Sequence, residues 1–147
     1  MELLKEIILY IVTSLEGSVS RTRIVKLLYL VDFFSLAKLG SKVTGVNYNY
    51  YYYGPYSESI VQCVNELKSS ALLQEYVLQN SFGNNSFLYN ATKPFKNIPS
   101  LSSSPDKVVI VNDVIKEYGK MNFKQLLEFV YSTPPIEDNR QGKVNVI

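Results

Sequence analysis

The stretch Arg21 to Gly40, RTRIVKLLYLVDFFSLAKLG, constrains the fold of this chain more than any other. Ile24, Leu27, Leu28, Val31, Phe34 and Leu36 or Leu39 recur near helical spacing. They make an apolar surface too wide for a helix that rests on a single neighbour. Such a helix is expected at the centre of the fold, touched on several sides. Ser18 or Ser20 can cap its start, and Gly40 sits where a left-handed cap ends it.

The rest of the chain must supply what surrounds that helix. Residues 2–16 carry Leu4, Ile7, Ile8, Ile11, Val12 and Leu15 at helical spacing, and Gly17 ends the run. Pro55, as the first helical residue, opens a helix over about 55–70 that buries Ile60, Val64 and Leu67. DKVVIVNDVI has the β-branched content of a strand, but Ser104-Pro105-Asp106 is a strong helix start. It offers a cap, a Pro at the first position and a carboxylate near the positive end of the dipole. A helix is therefore expected over 105–118, with Val108, Val111, Ile115 and Tyr118 on one face and Gly119 at its end. The last helix opens at Asn122, with Gln125 three residues on and Met121 placed to staple to Leu126, and it stops at Pro134-Pro135.

Strand signals fall between the helices. VNYNYYYYGPYSESI holds six of the twelve tyrosines, at positions 48–56. In a strand over 43–53, Val46, Tyr48, Tyr50 and Tyr52 share one face, and Asn47, Asn49, Tyr51 and Tyr53 the other. Residues 72–78 and 86–90 read as a hairpin, with Gly and Asn in QNSFGNN for its turn. The expected class is mainly α with a small β component: about five helices, a short strand and a hairpin. One domain spans 1–133, followed by a loose tail over 134–147. Helix, helix and hairpin after a short strand is a winged-helix-like order, with 55–70 in the recognition position.

Composition narrows function by exclusion. There is no histidine, which removes Ser-His-Asp and Cys-His catalysis and histidine-containing metal sites. Cys63 is the only cysteine, so no internal disulfide forms and no zinc knuckle fits within one chain. Net charge is +2, with seven basic and six acidic residues in 1–73 and eight and seven in 74–147. Neither half attracts nucleic acid or an anionic membrane strongly. No apolar run reaches a membrane span of roughly 18 residues. MELLKEIILYIV carries Glu2 and Glu6 and lacks a small-residue cleavage site. A cytoplasmic protein without a cofactor is expected.

Each candidate residue has a plain reading beside the sharper one. Tyr48, Tyr50 and Tyr52 suit a half-buried strand, whereas Tyr51 and Tyr53 are harder to bury and suit contact with another protein. Base stacking needs interleaved basic residues, and none lies between 43 and 67. Glu58 and Glu66 make the 55–67 helix acidic, which disfavours DNA despite Gln62 and Asn65. Arg21, Arg23, Lys26 and Lys42 form the alternative basic surface, and such a group is more often a solvated face. Asp32, alone in an apolar helix, reads as a satisfied structural carboxylate, paired to a tyrosine hydroxyl or to a nearby Arg or Lys. Cys63 reads as a packed thiol.

Residues 23–60 resemble the SocA-like Panacea domain family. The similarity rests on Lys26-Leu27-Leu28-Tyr29, Asp32, the segment Gly40 to Gly45, the aromatic run Tyr48 to Tyr52, and Tyr53-Gly54-Pro55. LLEFVYSTPPI is similar to the closing L-x-x-x-V-x-x-x-P segment of that family. The resemblance implies a mostly helical domain found in toxin–antitoxin operons. It implies an antitoxin that contacts its partner toxin directly, or an adaptor that presents the toxin to a protease. Lys26, Leu28, Tyr29, Asp32, Gly54 and Pro55 are then motif positions with structural roles. The expected function is non-enzymatic, antitoxin-like binding of a partner protein, with Tyr51, Tyr53, Tyr56 and Glu58 as contact residues. The competing expectation is a DNA-binding winged-helix regulator, possible as a homodimer; an enzyme is the least supported.

Overall fold

The computed structural model describes residues 1–51, 54–134 and 147, with Tyr51 described by its backbone. Five α-helices are among them: α1 Leu3–Ser14, α2 Arg21–Leu39, α3 Glu58–Ser69, α4 Pro105–Tyr118 and α5 Phe123–Ser132. The strands are β1 Val19–Ser20, β2 Asn49–Tyr51, β3 Gly54–Tyr56, β4 Leu73–Gln79 and β5 Asn85–Ala91, and a 3-10 turn spans Pro99–Leu101. The protein is mainly α with small antiparallel sheets.

α2 is central, as its apolar width requires. It packs against the other four helices and against β1, β3 and β5. Ile24, Leu27, Leu28, Tyr29, Leu30 and Val31 are fully buried, with side chains pointing to every side of the helix. The Ser20 hydroxyl accepts the Arg23 N–H at 3.0 Å, and Gly40 ends the helix at φ +78°. Ser20, not Ser18, is therefore the cap.

The helix over 105–118 forms at the expected bounds, with Pro105 in its first turn. Its innermost residues are Ile110, Val111 and Val114, while Val108, Ile115 and Tyr118 pack at the margin. Asn122 caps α5 by accepting the N–H groups of Lys124 and Gln125. The hairpin pairs Leu73 with Ala91 through to Gln79 with Asn85.

Three expectations need correction. First, the 43–53 segment is not one strand: among its described residues only Asn49–Tyr51 pairs, with Gly54–Tyr56. Over 46–49 the alternation nevertheless holds, since Val46 and Tyr48 are buried and Asn47 and Asn49 exposed. Second, Pro55 does not start α3. It lies opposite Tyr50 in the two-stranded ribbon, where a residue lacking an N–H is tolerated. Ser57 caps the helix instead, its hydroxyl accepting the Ile60 N–H. Third, Val19–Ser20 forms a strand that extends the hairpin, giving the sheet order β1-β5-β4. A tail from 134 onward falls mostly on residues 135–146, outside the described residues.

Candidate interaction site

Three hydrogen-bonded knots, each on a motif residue of α2, build the site. At the first, buried Lys26 donates from Nζ to the Pro55 carbonyl at 2.9 Å. This fixes β3 against α2. Burial lowers the Lys26 ammonium from 10.5 to about 8. Gly54 beside it adopts φ +94°, a conformation that L side chains rarely take, with the Tyr131 ring 3.6 Å from where a Cβ would stand.

At the second knot, the Tyr29 hydroxyl shares a hydrogen bond of 2.8 Å with Thr133 Oγ1, and Thr133 donates to the Val130 carbonyl at 2.6 Å. The KLLY segment is thereby joined to the closing segment of the chain. Burial pushes the Tyr29 hydroxyl up to about 12, so it stays protonated.

The third knot is the most saturated. Asp32 is fully buried and accepts four hydrogen bonds, from the Val43 and Thr44 N–H groups (2.9 Å each), the Thr44 hydroxyl, and the Tyr48 hydroxyl at 2.8 Å. Burial pushes the carboxyl up, and the four donors oppose that shift. The Tyr48 ring packs edge-on against Tyr29, with centroids 5.5 Å apart. The plain reading of Asp32 is correct: it organises the Gly40–Gly45 turn and the first tyrosine of the run.

These knots hold the ribbon beside a cleft of about 160 Å³ lined by Arg21, Thr22, Val25, Lys26, Gly54, Tyr56 and Val61. Tyr56 is half-buried on its wall, and Glu58 is exposed at the first position of α3. Tyr51 lies in β2. Tyr53 is outside the described residues, as is Tyr52.

The basic group is neither a solvated face nor an open anion site. Arg21 donates to the Tyr89 hydroxyl at 3.0 Å, stacks over Phe87 at 4.3 Å and lies 3.7 Å from Glu75. Arg23 donates to the Gly119 and Met121 carbonyls at 3.2 and 2.7 Å. Lys42 donates to the Val46 carbonyl at 2.6 Å. Each cation ties α2, or the turn after it, to another part of the chain. Spacing alone did not reveal these partners, most of which lie far along the chain. Cys63 is a buried thiol, as expected, and burial pushes it up. Glu6, which the sequence shows only as a charge near the N-terminus, is buried and accepts the Ser100 N–H and hydroxyl at 2.9 and 2.7 Å.

Lys26 makes the first knot testable by pH. The unfolded chain keeps this ammonium up to about 10.5, whereas the folded chain releases its proton near 8. The buried charge therefore opposes folding at neutral pH, and unfolding free energy rises as pH climbs from 8 towards 10.5. The gain is on the order of 3 kcal/mol at most. Denaturant titrations of wild type and Lys26→Met across that window should diverge, with only wild type gaining. Parallel profiles would place the ammonium in water.

Among the described residues, no helix is long and apolar enough to cross a membrane, and no group of side chains is arranged to hold a metal ion. A comparison with curated proteins and one with solved structures gave no match. A family model described as antitoxin SocA-like, Panacea domain, matches residues 24–135.

Proposed function

Because this chain belongs to the SocA-like antitoxin Panacea family, we propose that it is a non-enzymatic module that neutralises or escorts a partner protein, of the toxin class, by direct contact in the cytoplasm. One observation carries this reading. The polar groups of Lys26, Tyr29 and Asp32 are all committed to internal hydrogen bonds. The motif thus works as a frame, and what it frames is the ribbon and cleft at Tyr56 and Glu58. An aromatic side chain at a small apolar cleft, with an exposed carboxylate two residues further along the chain, suits a desolvated protein contact whose register is set by charge. Tyr51 and Tyr53 stay in the proposal as contact residues on the strength of the sequence pattern. No bond is made or broken in this mechanism; occlusion suffices.

A short β1 between α1 and α2, and the β4–β5 hairpin after α3, joined in the order β1-β5-β4, support a winged-helix-like architecture. Reading DNA with it is disfavoured. The recognition position carries Glu58 and Glu66, Lys68 is paired with Glu75 at 2.8 Å, and Arg21 and Arg23 bind their own chain. Charge reversal at Arg21 or Arg23 would disturb the fold before it reported on DNA.

The test is co-purification of the tagged protein with its partner. Tyr56→Ala combined with Glu58→Lys should weaken recovery roughly tenfold, equivalent to about 1.4 kcal/mol, with helix content unchanged. Undiminished recovery would move the contact elsewhere.

A further inference from the structure

The β4–β5 hairpin carries features that the partner-binding reading does not use. β4 is an edge strand, paired to β5 on one side only. Thr92 N–H donates to the Leu72 carbonyl (3.1 Å) and Asn80 N–H to the Asn84 carbonyl (2.9 Å). In an antiparallel ladder the paired residues alternate. The even-numbered residues of β4 therefore face β5, while Leu73, Glu75, Val77 and Gln79 aim their N–H and C=O groups away from it. Among the described residues nothing covers the Val77 and Gln79 end of that row. Tyr76, Val77 and Leu78 are 41%, 51% and 58% exposed.

Edge strands are usually protected by lysine, proline, a bulge or an inward charge. This one has none of these from Tyr76 to Gln79, and its register with β5 is unbroken. The seventeen residues from Tyr76 to Thr92 contain no charged side chain. A nucleic acid or an acidic lipid surface has nothing to hold there. A strand of matching neutrality does.

We propose that β4 pairs with β4 of a second copy of this chain, antiparallel, about a two-fold axis through Val77. The outward row contains only odd-numbered residues, so the axis must fall on a residue. Placed at Val77, it sets Val77 opposite Val77, Tyr76 opposite Leu78 and Glu75 opposite Gln79 of the second copy. No like charges meet. The Val77 N–H of each copy donates to the Val77 carbonyl of the other at the centre. Tyr76 and Leu78 alternate across the seam on one face, beside Leu88, which is opposite Tyr76 within each hairpin. The result joins three strands from each copy into one sheet.

Light scattering coupled to size exclusion, run from low to high micromolar protein, reads this directly. Wild type should reach twice the chain mass. Val77→Pro removes only an outward N–H, which an edge strand tolerates, and should weaken dimerisation at least about tenfold, the equivalent of about 1.4 kcal/mol, with the circular dichroism retained. Val77→Lys opposes two ammonium groups at the axis and should do the same. Val77→Thr keeps the N–H and should remain dimeric. A wild type monomeric throughout overturns the proposal. So does a Val77→Lys variant that stays dimeric, whether or not Val77→Pro folds, and so does loss of the dimer in Val77→Thr.

Discussion

Asp32→Ala should cost the fold about 3–5 kcal/mol, the range for removing one member of a buried, charge-assisted cluster. The cost comes from what the carboxylate leaves behind. The Val43 and Thr44 N–H groups are fixed by the backbone and cannot turn elsewhere, and the Thr44 and Tyr48 hydroxyls lose their acceptor in a dry site. Asp32→Asn should cost less, by roughly half, because its remaining oxygen can still accept both N–H groups and the hydroxyls can rotate to accept from the amide. Chemical denaturation of the three proteins checks the order. An alanine variant within about 1 kcal/mol of wild type would mean that water reaches the Gly40–Gly45 turn. Domains of this size have only about 5–15 kcal/mol of stability, so Asp32→Ala should also loosen the ribbon that Tyr48 leads into.

Gly119→Ala should lower stability by about 2–3 kcal/mol, although alanine ordinarily favours helix by up to 1 kcal/mol over glycine. Gly119 does not adopt the left-handed conformation often found after a helix; its φ of −58° is available to any residue. The requirement is space. A Cβ there would overlap the Ile115 carbonyl oxygen and stand 2.5 Å from Leu15 Cδ2 at the end of α1. The leucine tip can yield, whereas the carbonyl belongs to the helix ladder and cannot. Because the Gly119 carbonyl also accepts from Arg23, a shift here pulls on α2. Thermal melting should show a fall of roughly 5–10 °C; a rise would mean that the turn relaxes freely and helix propensity wins.

The helices were readable because their signals are local. The apolar width of α2, Pro105, Asn122 and Gly40 each act within a turn or two of their own position, whereas the Ser104 side chain makes no capping hydrogen bond. Asp32 could be recognised as paired, because an isolated carboxylate in an apolar helix has no other stable state. A tyrosine hydroxyl was among its expected partners, as Tyr48 proves to be, but the Val43 and Thr44 donors could not be named, since they reach it only after the chain reverses at Gly40. Pro55 shows two local signals in competition. Proline fits the first turn of a helix, but Ser57 caps α3 and leaves Pro55 free to pair with Tyr50 and to offer its carbonyl to Lys26. β1 has two residues and exists only because Tyr89 and Leu88 pair with them. The destinations of Arg21 and Arg23 lie 68 and 98 residues away, beyond any periodicity. The uncharged run from Tyr76 to Thr92 is visible as composition, but the open side of β4 required the register.

The central claim is that a frame of saturated motif residues presents a surface to a protein partner. A pull-down of the tagged wild type from native cell extract, at moderate and high salt with nuclease in parallel, tests it most directly. The account predicts one stoichiometric protein that survives both salt and nuclease. Recovery of nucleic acid alone, lost at high salt, would contradict it and assign the surface to DNA.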